Sequence, residues 1–145
     1  MCRGVLARRA KGERVVAVGR ILVVDDEQAI RELVRQNLEL SGYECIDAED
    51  GSQALQKVGE QRPDLIVLDV KMPVLDGWEV LRVLRSSPET ATIPIVMLTA
   101  LGDSAHVARG WTLGADFYLT KPFEPRELVA VVTRLLAGQS ADAQA

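Results

Sequence analysis

The chain has few features that would cross-link it covalently or hold it in a membrane. Its two cysteines, Cys2 and Cys45, are too few for a disulfide framework and too far apart in sequence for a pair of metal ligands. No apolar run approaches the roughly 18 residues that a membrane-crossing helix needs, and the N-terminal segment lacks the continuous apolar stretch of a secretory signal. We therefore expect reduced thiols and a cytoplasmic protein.

Basic residues are scarce outside the N-terminal segment. Residues 1–20 hold six of them against Glu13 alone, which gives this segment a net charge of +5 and leaves −9 for the remainder. An acidic body argues against a dedicated nucleic-acid binder, because contacts to phosphate need clustered Lys and Arg. The basic arm could contact an anionic partner, but we interpret residues 1–18 as a disordered extension.

Segments with the apolar pattern of a strand alternate along the chain with segments that have the apolar spacing of a helix. With 145 residues, 48% of them hydrophobic, the chain can form one domain with a buried core. Apolar runs alternate with helical spacing in the order (βα)5, and this order predicts an α/β fold with a doubly wound parallel sheet in three layers. The flavodoxin-like strand order 2-1-3-4-5 fits best, with the domain at residues 19–138 and a flexible tail at 139–145. The five runs are Ile21–Val24, Tyr43–Ile46, Leu65–Leu68, Ile95–Leu98 and Phe117–Leu119.

Polar side chains follow four of these runs where each strand ends. Open α/β sheets bind ligands at the carboxyl edge of their strands, so these residues describe a site. Neighbouring strands lie roughly 4.8 Å apart, so acids from the first and third strands can meet at one cation. The residue after the fifth strand lies two strands away from the acid after the third, so only a long side chain can bridge the two. The residues are Asp25 and Asp26 after the first strand, Asp69 after the third, Thr99 after the fourth and Lys121 after the fifth.

Three clustered carboxylates need a positive partner. Two unit charges about 4 Å apart repel by roughly 4 kcal/mol at an effective dielectric constant of about 20. Oxygen-only ligands suit a hard ion such as Mg²⁺, with Mn²⁺ as the alternative, and a phosphate oxygen typically completes such a site. The sequence therefore predicts a pocket for a divalent cation and a phosphoryl group.

Four segments stand in order along residues 20 to 137: "ILVVDDE", "PDLIVLDVKMPVLDG", "IVMLTA" and "GADFYLTKPF". Together they resemble the receiver domain of two-component response regulators, the CheY-like superfamily. The resemblance implies that Asp69 is the phosphoacceptor, that Thr99 and Lys121 contact the phosphoryl oxygens, and that a cis peptide bond precedes Pro122. The metal ligands that it implies are Asp25, Asp26, Asp69 and the backbone carbonyl of Lys71.

The same resemblance implies a phosphorylation-activated switch. A sensor histidine kinase or a phosphotransfer protein would donate the phosphoryl group, and the chain would catalyse its own phosphorylation and dephosphorylation without being a dedicated turnover enzyme. Thr99 and Tyr118 would then move and reshape the surface of the fourth helix, fifth strand and fifth helix, which controls a protein target. We expect a monomer or weak dimer that contacts neither nucleic acid nor membrane directly.

Other readings fit the residues less well. A flavin- or nucleotide-binding module needs a loop rich in Gly or Ser/Thr, whereas the loop after the first strand is "DDEQ". A metal-dependent phosphatase of the haloacid dehalogenase type would carry Asp-x-Asp after one strand, and neither "VDDEQ" nor "LDVKM" supplies it. We favour a stand-alone receiver, and a domain excised from a longer DNA-binding regulator or hybrid kinase is the alternative.

Overall fold

The computed structural model describes residues 5–8, 14–17, 19–100 and 114–144, with side chains over 19–100 and 114–138. The predicted fourth helix falls outside these ranges. None of the helices in the described part of the chain has the length and apolarity needed to cross a membrane.

Two short strands precede the main sheet and pair with each other. Strand β1 (Val5–Arg8) runs antiparallel to β2 (Arg14–Ala17), and the two form a separate sheet. Both strands lie within residues 1–18, for which the sequence predicts a disordered extension. The segments "VLAR" and "RVVA" contain three valines, and β-branched residues favour extended backbone, which accounts for the pairing.

Five parallel strands form the main sheet and confirm the predicted fold class. They are β3 (Arg20–Val24), β4 (Glu44–Ala48), β5 (Leu65–Asp69), β6 (Ile95–Ala100) and β7 (Phe117–Lys121). Their order in the sheet is β4-β3-β5-β6-β7, which is the predicted 2-1-3-4-5. Every residue of β5 is buried, as expected for a central strand that is covered on both faces.

Helices cover both faces of this sheet. Alternate strand residues point to opposite faces, so Ile21 and Val23 pack in one core cluster and Leu22 and Val24 in the other. The helices are α1 (Gln28–Leu40), α2 (Gly51–Gln61), α3 (Gly77–Ser86) and α4 (Pro125–Gln144). Helices α1 and α4 share the first cluster, and α2 and α3 share the second. Helix α4 continues to Gln144, through residues for which the sequence predicts a flexible tail.

Helix α3 begins directly against β5. A Cβ added to Gly77 would overlap the carbonyl oxygen of Asp69 and lie 2.9 Å from the Cα of Val70, so backbone would have to move. We expect Gly77→Ala to lower the unfolding free energy by about 1–3 kcal/mol, measured by urea denaturation.

The matched control is Gly59→Ala in α2, where an added Cβ meets nothing within 4 Å. Alanine favours a helix interior over glycine by up to about 1 kcal/mol, so this variant should be as stable as the wild type or more stable. Equal losses of stability in the two variants would contradict the packing argument.

Candidate functional site

The carboxyl edge of the main sheet gathers the predicted polar residues. Asp25 and Asp26 follow β3, and Asp69 is the last residue of β5. On the neighbouring strand Leu98 lies opposite Asp69, which places Thr99 one residue beyond it. Lys121 ends β7 and lies opposite Ala100 of β6.

The carboxylate of Asp25 is fully buried and held by two donors. Its Oδ1 accepts a hydrogen bond of 2.9 Å from the backbone N–H of Glu27. Its Oδ2 accepts one of 2.9 Å from Nζ of Lys121. Because each oxygen has a donor, the direction of this side chain is fixed before any ligand arrives.

Lys121 joins the acids of two strands. Besides its contact with Asp25, its Nζ lies 3.3 Å from Oδ1 of Asp69. Burial by itself lowers the pKa of Lys121, but the hydrogen bond to Asp25 and the charges of both acids outweigh it, so the pKa lies above its ordinary value. The ammonium therefore stays charged at neutral pH. The peptide bond from Lys121 to Pro122 is cis, as the resemblance implies.

Asp69 is nearly buried, with 5% of its surface exposed. The pKa of Asp69 is raised from 3.8 to about 6, first by burial and then by the negative charge of Asp25, and Lys121 offsets part of the increase. Ionisation of Asp69 thus costs more free energy than it would in water, and added positive charge in the site would lower that cost.

This raised pKa predicts how stability depends on pH without a divalent cation. The folded state holds the Asp69 proton more tightly than the unfolded chain, so the stability that this group contributes is fully present below pH 3.8 and is lost as the pH rises through about 6. The difference between 3.8 and about 6 in the pKa of Asp69 corresponds to about 3 kcal/mol of unfolding free energy. We expect the unfolding free energy of Asp69→Asn to be close to that of the wild type at pH 4 and about 3 kcal/mol higher at pH 7. Urea denaturation in EDTA measures the difference, and a gap that is constant with pH would contradict the prediction.

Carboxylate oxygens of Asp25, Asp26 and Glu27 lie within 4.8 Å of one another. Asp26 and Glu27 are exposed, so this group opens to solvent beside the buried Asp25. Hard oxygen donors of this kind fit Mg²⁺ or Mn²⁺, and a divalent ion would offset the repulsion among the acids. Among the described residues, this group contains Glu27, which the predicted ligand set lacks, and it does not contain Asp69, which that set includes.

An open cleft of ≈ 510 Å³ has one of these acids, Asp26, in its lining. The loop between β5 and α3 forms most of its wall. Hydrogen bonds hold this loop at the point where α3 begins. Oδ1 of Asp76 accepts a hydrogen bond of 2.9 Å from the backbone of Glu79, and Oε1 of Glu79 accepts one of 3.1 Å in return. A ligand in this cleft would therefore contact Asp26 and the loop that the capping box holds at its C-terminal end. Its lining residues are Asp26, Val70, Lys71, Met72, Pro73, Asp76 and Trp78.

Two further predicted residues lie on β6, which neighbours the strand of Asp69, and on β7 beyond it. Thr99 is 2% exposed. Tyr118 of β7 is half-buried, and its ring centroid lies 6.2 Å from that of Trp78, a contact that no sequence pattern predicts. Burial raises the pKa of Tyr118 to about 12, so its phenol stays protonated. Thr99 thus lies near the carboxyl end of β6, as Lys121 does in β7, whereas Tyr118 lies three residues before Lys121 in that strand.

The family model of the response regulator receiver domain matches residues 21–133. The phosphate regulon transcriptional regulatory protein PhoB of Pseudomonas aeruginosa is 47% identical over 116 residues, which are 80% of this chain and 51% of that protein. The alkaline phosphatase synthesis transcriptional regulatory protein PhoP of Bacillus subtilis is 51% identical over 117 residues, 81% of this chain and 48% of that protein. The chain thus spans about half the length of these curated relatives.

A solved structure agrees in both fold and sequence. The chemotaxis response regulator CheY4 of Vibrio cholerae superposes with a TM-score of 0.75 and 37% identity, covering 79% of this chain and 96% of that one. With the matched family model and these identities, the chain belongs to the receiver domains of response regulators in two-component signalling.

Proposed function

We propose that this receiver domain is a switch that accepts a phosphoryl group on Asp69. The observation that carries the proposal is the ammonium of Lys121, held 2.9 Å from Asp25 and 3.3 Å from Asp69 at a largely buried sheet edge. Phosphoryl transfer asks a protein mainly for positioning and for positive charge against the phosphoryl oxygens. A fixed ammonium beside a carboxylate supplies both.

In the proposed reaction a carboxylate oxygen of Asp69 attacks the phosphorus in line. The new bond is an acyl phosphate P–O bond, and the bond from phosphorus to the donor breaks. With a phosphohistidine donor the imidazole leaves with the electron pair and takes a proton from solvent. Water later attacks the phosphorus, which restores the carboxylate of Asp69 and releases inorganic phosphate.

The acids would hold Mg²⁺, or Mn²⁺, through Asp25, Asp26, Asp69 and the carbonyl of Lys71. When bound, the ion supplies positive charge against the phosphoryl oxygens. The group that Asp25, Asp26 and Glu27 form supports this proposal, and Glu27 would orient water at its rim. Lys121 would neutralise a phosphoryl oxygen from the other side, and the hydroxyl of Thr99 would donate a hydrogen bond to another.

The proposed output is a change of surface. Thr99 would turn toward the phosphoryl group, and Tyr118 would move with it, altering the surface of β7, α4 and the predicted fourth helix, which lies outside the described residues. The proposed partners are a sensor histidine kinase or phosphotransfer protein and a target protein in the cytoplasm. The domain would act as a monomer or weak dimer without direct contact to nucleic acid or membrane.

Acetyl phosphate tests this proposal on the wild type. We expect one phosphoryl group per chain by intact-mass spectrometry when Mg²⁺ is present and none in EDTA. We also expect millimolar Mg²⁺ to raise the melting temperature, because the ion binds the folded state and not the unfolded chain. Equal incorporation with and without Mg²⁺ would remove the metal from the mechanism.

A second candidate is the receiver unit of a longer DNA-binding regulator. Both curated relatives have names of transcriptional regulators, and the chain spans about half of each. The mass of the native protein in its source cell separates the two candidates. A mass near 15.9 kDa favours the stand-alone switch, and about twice that mass favours the regulator.

A further inference from the structure

An arginine of α1 ties the loop after β3 to strand β4. A terminal nitrogen of Arg31 donates a hydrogen bond of 2.6 Å to the backbone carbonyl of Asp25. Its Nε lies 3.5 Å from Oδ2 of Asp47 in β4. The Arg31 side chain is 12% exposed, so water competes little for these contacts.

The contacted carbonyl belongs to the peptide that joins Asp25 to Asp26. The amide of Asp25 is held as well, because it donates a hydrogen bond of 3.2 Å to the carbonyl of Ala48. Asp26 is exposed, so its carboxylate is placed mainly by the backbone that carries it. The guanidinium of Arg31 therefore acts on the orientation of the peptide from which both acids project.

We propose that Arg31 is a positioning residue for the divalent cation, which it helps to bind without touching it. The inference rests on the proposed function, because that function supplies the cation. Groups that hold metal ligands in place typically change metal affinity by about 10-fold to 100-fold when they are removed. If only charge mattered, replacing Arg31 would have the opposite effect on metal affinity, because removing a positive group near the acids should tighten cation binding.

The chain offers a matched control one turn further along α1. Arg35 has the same charge and contacts the same acid, with a terminal nitrogen 3.6 Å from Oδ1 of Asp47. Its Nε lies 3.3 Å from Oε2 of Glu39, and its side chain is 43% exposed. Arg35→Gln thus removes one positive charge and one contact to Asp47, whereas Arg31→Gln also removes the hydrogen bond to Asp25.

Isothermal titration of the full chain with MgCl₂ compares the two variants, and circular dichroism verifies that each is folded. We expect Arg31→Gln to raise the Mg²⁺ dissociation constant about 10-fold to 100-fold. Arg35→Gln should leave it within about twofold, because solvent and salt screen an exposed charge. A dissociation constant in Arg31→Gln equal to or below that of Arg35→Gln would overturn the inference.

A second variant keeps the test decisive if Arg31→Gln is unfolded. Asp47→Asn leaves Arg31 in place and removes the carboxylate that orients it, so Mg²⁺ binding should weaken by a smaller factor, and unchanged affinity would overturn the inference. Asp26→Asn separates this outcome from failure of the proposed function. One outcome would contradict the role of Arg31 and leave the proposed function intact. In that outcome the wild type binds Mg²⁺, Asp26→Asn weakens the binding, and the Arg31 and Asp47 variants do not. If the wild type binds no Mg²⁺, both fall.

Discussion

In Asp69→Asn, the phosphoryl incorporation from acetyl phosphate and Mg²⁺ should fall to the level measured without a phosphoryl donor. The amide that replaces the carboxylate keeps its shape, but it has no negative oxygen to attack phosphorus. Loss of folding does not explain the expected result, because removing this buried acid should stabilise the protein at neutral pH. Intact-mass spectrometry measures the incorporation directly.

The control is Asp50→Asn, which makes the same chemical change after β4, at the same edge of the sheet. The Oδ1 of Asp50 accepts a hydrogen bond of 2.8 Å from the backbone of Gln53 and caps α2. Asparagine caps helices about as well as aspartate does, so this variant should fold and accept one phosphoryl group. Wild-type incorporation in Asp69→Asn would move the acceptor to another carboxylate.

Lys121→Met should cost about 3 kcal/mol of unfolding free energy in EDTA. Methionine retains much of the length of the side chain and removes its charge, which leaves the fully buried carboxylate of Asp25 without its cation. Removing one partner of a buried ion pair typically costs about 3–5 kcal/mol, and we take the lower end because Lys121 is 23% exposed. Saturating Mg²⁺ should reduce the loss, because the ion replaces part of the missing charge.

A double variant separates this electrostatic effect from lost packing. Adding Asp25→Asn removes the stranded charge, so the double variant should recover much of the stability that Lys121→Met loses. Urea denaturation of the wild type, both single variants and the double variant completes the cycle. Strictly additive losses would show that Lys121 stabilises the fold by packing and not by neutralising Asp25.

The strand order and the edge that carries the site were predictable from sequence because both depend on short-range patterns. Each central strand is a continuous apolar run, and a parallel sheet places the ends of such runs at one edge. The reach of Lys121 to Asp69 followed from the number of strands between them. The distance of 3.3 Å is consistent with that reasoning.

Contacts that depend on the packing of side chains were not predictable. Helical spacing puts Leu33 on the buried face of α1 with Ile30, Val34 and Leu38, yet Leu33 is 40% exposed because it lies at the margin of that face. Likewise no local pattern marks Arg31 as the partner of a backbone carbonyl six residues earlier. The backbone of Val74 was not predictable either, because its φ of 70° is a left-handed conformation that β-branched residues disfavour.

Trp78 is one of only two tryptophans in the sequence, and it lines the cleft together with Asp26 and Lys71. Its indole emission should therefore respond when an ion or a phosphoryl donor enters the cleft. The unmodified protein thus contains its own optical probe, and the rate at which the pocket fills can be followed by stopped-flow fluorescence without attaching a dye.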